Sequence, residues 1–133
     1  MDFYMQNKTY QRHGLKKKVG TRKRIKTKTI LIRDTDTPDN LDVTPNQVLH
    51  KNSQEGILGF ADHYLITLDG KRHIGRDVDA YGFNVDNFTV SILMVGREKF
   101  TQHQIESLKL LIAELNKKYG LLNINNKTTI RKI

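Results

Sequence analysis

Apolar and polar residues fall along this chain in two rhythms. Thr29 to Arg33 (TILIR) is a β-branched run between polar flanks and predicts a short buried strand. Asp34 to Asp42 (DTDTPDNLD) then reads as a turn-rich loop. Thr44-Pro45-Asn46-Gln47 predicts a helix start, with threonine as N-cap, proline at the first helical position and glutamine closing a capping box. That helix is expected to end near His50 or Lys51. Residues 60–75 predict a hairpin: FADHYLITL as one strand, Asp69-Gly70 as a tight turn, and KRHIG as the return. Phe88 to Val95 (FTVSILMV) is too apolar for a strand with one wet face, so a central strand covered on both sides is expected.

The period then changes from two to about 3.6. Thr101-Gln102-His103-Gln104 supplies a second N-cap and capping box. Ile105, Leu108, Ile112, Leu115 and Tyr119 follow at spacings of three and four, and Gly120 is the stop. Leu111 widens the apolar stripe, which suits a helix packed on a sheet. The remainder, LLNINNKTTIRKI, is a tail or a final edge strand. The expected fold is an α/β domain with a mixed central sheet and flanking helices, preceded by an extended basic arm. Its expected boundaries are residues 1–28 for the arm, 29–120 for the domain, and 121–133 for the C-terminal tail or edge strand.

Charge sharpens the division. The chain has 133 residues with 23 Lys plus Arg against 14 Asp plus Glu, a formal net charge of +9. Residues 1–33 hold eleven of the basic residues and a single acid, Asp2; the rest of the chain is nearly balanced. Lys16, Lys17, Lys18, Arg22, Lys23, Arg24, Lys26 and Lys28 crowd a segment with almost nothing to bury, and such a run repels itself unless an acidic partner neutralises it. Two readings of the arm stay open: a solvated, disordered tail, or a segment that orders on an acidic partner, either nucleic acid or an acidic protein surface.

Several chemistries are excluded. Cysteine is absent, so there is no thiolate zinc site and no cysteine nucleophile. No Gly-x-Ser-x-Gly elbow or phosphate loop occurs. The acidic loop lacks the glycine and distal glutamate of a calcium site. His13, His50, His63, His73 and His103 are scattered and read as ordinary polar or half-buried histidines. No window approaches the ~18 apolar residues of a membrane span, and the N-terminus lacks the apolar core of a secretory signal. Synthesis in the cytoplasm, with no membrane partner, is expected.

From Thr29 to about Tyr119 the chain resembles the zinc-dependent N-acetylmuramoyl-L-alanine amidases, which include small phage endolysins and the peptidoglycan recognition proteins. ILIRDTDTP resembles the first strand, His50-Lys51 the close of the first helix, and DHYLITLDG the next strand and turn. Gly75-Arg76, VSILMVG and FTQHQIESLKLLIAELNKKYG follow in the family's order. The resemblance implies zinc held by a histidine at the end of the first strand, a second after the long helix, and a Cys or Asp beyond. Arg33 stands at the first position, Asn125 or Asn126 at the second, and the third has no match. Arginine is permanently charged and cannot ligate Zn²⁺. The tyrosine that in many members assists at the reacting carbonyl is Asp62 here, so Asp62 and His63 are the groove candidates. The resulting expectation is a non-catalytic amidase-fold protein of a bacteriophage, without metal or cofactor. It would dock through its arm in a larger assembly such as a virion, on nucleic acid or an acidic protein. The alternatives are a peptidoglycan-binding protein or an active amidase.

Overall fold

Seven elements follow one another in the computed structural model, which describes residues 23–24, 26–83, 85–131 and 133. They are β1 (Thr29–Asp34), α1 (Pro45–Gln54), β2 (Tyr64–Ile66), β3 (Arg72–Ile74), β4 (Thr89–Met94), α2 (Gln102–Tyr119) and β5 (Asn123–Asn126). The five strands form one sheet in the order β3-β2-β4-β1-β5. Strand β4 pairs in parallel with β1 (Ile30 opposite Val90) and with β2 (Leu65 opposite Leu93), and β5 pairs in parallel with β1. Only β3 runs antiparallel, against β2. The apolar FTVSILMV run thus supplies the middle of the sheet, where both faces are covered.

Helix α2 covers one face. Its capping box forms with Thr101 and Gln104 as the spacing predicts. Leu108, Leu111, Ile112 and Leu115 pack on Ile30, Ile32, Ile66, Val90, Ile92 and Met94. Gln104 is fully buried and is satisfied there: its Nε2 donates to Val95 O at 2.8 Å and to Ile66 O at 3.2 Å, fastening the first turn of α2 to the ends of β4 and β2. A smaller cluster on the side of α1 joins Val43, Val48, Leu65 and Val95, with Phe60, Leu68 and Leu93 against it.

Three local expectations are revised, and one left open is decided. Helix α1 runs to Gln54, past Lys51, because buried Asn52 has a tertiary partner: its Oδ1 accepts from Ala61 N at 3.0 Å. The hairpin closes through a three-residue loop, not a two-residue turn, since Thr67 N donates to Lys71 O and Gly70 N to Thr67 O, with Gly70 at φ 81°. The C-terminal segment supplies the edge strand β5, and Leu122 and Ile130 are buried in the core. Finally, the body begins before Thr29. Lys23 forms a β-bridge with Ala80, Thr27 is 8% exposed, and Lys28 N donates to Phe88 O at 2.8 Å.

Candidate functional site

Parallel strands leave their carboxyl ends open where neighbouring connections diverge, and open α/β sheets bind ligands there. In this chain β1 ends in Arg33 and Asp34, and α1 lies across from it. Between them is a groove of about 350 Å³. Val43, Val48, Ile57, Phe83 and Leu93 are its apolar lining, and Arg33, Lys51, Asp34, Glu55 and Asp62 its charges.

Arg33 and Asp62 meet in this groove. Arg33 Nη2 donates to Asp62 Oδ1, with the arginine side chain 29% exposed and the aspartate side chain 9% exposed. Arg33 Nε is buried and finds no acceptor among the described residues. Nearby, burial raises the Asp34 carboxyl above its usual range, and the neighbouring Asp36 carboxylate adds to this.

His63 belongs to a different set of contacts. It is fully buried, its Nδ1 accepts from Ser91 N at 3.0 Å, and its Nε2 lies 2.8 Å from Ala80 O. A carbonyl only accepts and an amide N–H only donates, so the ring is the Nε2–H tautomer. Burial depresses its pKa to about 4; the Ala80 contact opposes this and the Arg24 guanidinium reinforces it. His63 therefore supports the connection before β4 and does not line the groove.

The arm residues separate as well. Arg24 is built into the body: Nη1 donates to Ala80 O at 2.8 Å, Nε to Thr27 Oγ1 at 3.0 Å, and the guanidinium lies 5.7 Å from the Tyr119 ring centre. Its 3.2 Å approach to His63 Nε2 sets two donors side by side over the same carbonyl. Tyr119 OH donates to Asp79 Oδ1 at 2.6 Å, and burial, then this contact, pushes the phenol up to about 12. Lys23, Lys26 and Lys28 are exposed, and Lys28 Nζ sits 4.6 Å from the Phe88 ring. Lys16, Lys17, Lys18 and Arg22 lie outside the described residues. Sequence reasoning missed Lys51 and Phe83 as groove residues, because only the approach of α1 and the loop before β4 to the end of β1 places them there.

The zinc implied by the resemblance does not fit the residues present. Arg33 carries a fixed positive charge and is tied to Asp62. Asn126 spends its amide locally, Nδ2 donating to Ile130 O and Oδ1 accepting from Thr128 N and Oγ1. Asn125 is exposed. Among the described residues no three His, Asp or Glu side chains converge as a metal site.

The chain belongs to the N-acetylmuramoyl-L-alanine amidase family, whose model matches residues 23–132. An endolysin of Klebsiella phage KP32 is 29% identical over 113 residues, covering 77% of this chain and 75% of that protein. Among solved structures, the N-acetylmuramoyl-L-alanine amidase LysC from Clostridium intestinale URNW superposes with a TM-score of 0.68 at 25% identity, over 80% of this chain and 74% of that one. Drosophila PGRP-LB shares the fold, with a TM-score of 0.71 at 15% identity over 86% and 76% of the two chains. These relatives overturn the expectation of a non-catalytic virion component that is no enzyme. A phage endolysin and an amidase favour the alternative, a peptidoglycan-binding protein or an active amidase. No helix among the described residues is long and apolar enough to cross a membrane.

Proposed function

We propose that the chain is a peptidoglycan amidase of the endolysin type, taking muramyl peptide into the groove between α1 and the carboxyl end of β1. The family match across residues 23–132 carries this reading, and the open groove supports it. The apolar lining suits the lactyl and alanyl methyl groups of the substrate. Arg33 offers donors to a carbonyl or carboxylate oxygen, and Lys51 offers a second cation from the opposite wall. The net charge of +9 favours encounter with a polyanionic wall. In this reading the basic N-terminal residues serve that encounter rather than docking on nucleic acid.

Purified sacculi test the proposal. Co-sedimentation measures retention, and mass spectrometry of the supernatant detects stem peptides with a free L-alanine amino terminus. Retention together with released stem peptides is the expected result. Failure to release them at any protein concentration refutes the hydrolytic reading, and failure to sediment refutes the assignment of the groove as well.

A further inference from the structure

The unused chemistry of Arg33 goes further than a general affinity for peptidoglycan. A guanidinium has five N–H donors. Asp62 takes one, from Nη2; Nε is buried without an acceptor, and Nη1 makes no hydrogen bond among the described residues, so the donors left for a ligand are those of the terminal nitrogens. The arginine is the more open partner, at 29% against 9% for the aspartate side chain, so the pair presents its cationic half to the groove. Lys51 lines the same groove and forms no ion pair among the described residues. Three acids line the groove, and each has a partner: Asp62 accepts from Arg33, Asp34 from the Asp36 N–H at 2.9 Å, and Glu55 from Asn52 Nδ2 at 3.5 Å. The apolar lining of the groove lowers the local dielectric and strengthens any charge-assisted bond made there.

We propose that Arg33, held in place by Asp62, is a specificity-determining residue that binds a carboxylate on the muramyl ligand. Two carboxylates offer the required chemistry. One is the lactyl carboxylate of unsubstituted N-acetylmuramic acid; the other is the terminal carboxylate of a short peptide attached to it. Either forms charge-assisted hydrogen bonds with the open edge of the guanidinium, which a neutral amide of the same shape cannot match. Asp62 keeps the guanidinium oriented and prevents its charge from being stranded when the groove is empty. The proposal rests on the reading that the groove accepts muramyl ligands.

The test is an NMR titration of the full chain, in EDTA, with two acid and amide pairs. The first is N-acetylmuramic acid and its lactyl carboxamide; the second is N-acetylmuramoyl-L-alanine and its C-terminal carboxamide. An acid preference of about tenfold is expected in at least one pair, weakening in high salt. The pair that shows it identifies the carboxylate. Arg33→Met should abolish the preference. Because that change strands the Asp62 charge, the double variant Arg33→Met with Asp62→Leu is titrated beside it and should bind acid and amide equally. Equal binding of acid and amide by the wild type overturns the role of Arg33 while leaving the groove assignment standing, as does a preference that survives in either variant. No binding of any of the four overturns the groove assignment and the proposal together.

Discussion

The buried imidazole of His63 makes acid stability the most direct test of how this body is held together. Unfolded, the ring titrates near 6.5; folded, burial lowers it to about 4. Between these values the unfolded chain takes up a proton that the folded chain refuses, so stability rises with pH across that window. At about 1.4 kcal/mol per tenfold change in proton affinity, keeping the ring neutral contributes about 3 kcal/mol. That contribution is complete above pH 6.5 and is lost as the pH falls towards 4. Below that, a different set of groups takes over. Asp39, Asp69, Asp79 and Asp86 all have carboxyls lowered from 3.8, chiefly by hydrogen bonds, and lose their contribution only in stronger acid. His73, also lowered by burial, adds a smaller slope of the same sign as His63. Urea unfolding followed by circular dichroism at pH 7 and 4.5 should show a fall of about 2 to 3 kcal/mol, a midpoint shift of roughly 1 to 2 M. His63→Gln should be less stable at pH 7, having lost contacts to Ser91 N and Ala80 O, and should show a much flatter profile down to pH 4.5. Equal stability of the wild type at the two pH values, or an unchanged slope in the variant, would refute the reasoning.

The remaining predictions concern how far the body extends and what fills it. A chain starting at Lys23 should keep the melting midpoint, whereas Arg24→Ala should cost about 1 to 2 kcal/mol through its lost bonds to Ala80 O and Thr27; thermal denaturation compares them. Leu108 has 0% exposure under α2, so Leu108→Ala should cost roughly 2 to 5 kcal/mol by chemical denaturation. Gly70→Ala should cost about 2 kcal/mol or more, because Gly70 is at φ +81° and a Cβ there would come within 2.6 Å of the His103 carbonyl oxygen. A melting midpoint equal to that of the wild type would show that the loop between β2 and β3 can relax.

What the sequence determined by itself was whatever is written locally. Both capping boxes are complete within four residues, so Thr44 and Thr101 mark the starts of α1 and α2 without help from the rest of the chain. The stripe from Leu108 to Leu115 and the doubly apolar β4 follow from periodicity, and the family resemblance follows from motifs in order. Tertiary structure decided whatever depends on residues distant in the chain. Arg24 looks like one more charge in a basic run, and only the approach of Ala80 and Tyr119 makes it part of the body. Asp62 and His63 are neighbours with separate fates, one on Arg33 in the groove and the other on Ser91 and Ala80 in the interior. Arg33 could be read from the sequence as a residue that does not ligate zinc. That it is paired with Asp62 and lines the groove with its side chain 29% exposed required the fold, because burial and hydrogen-bond partners are set by contacts across 29 residues of chain.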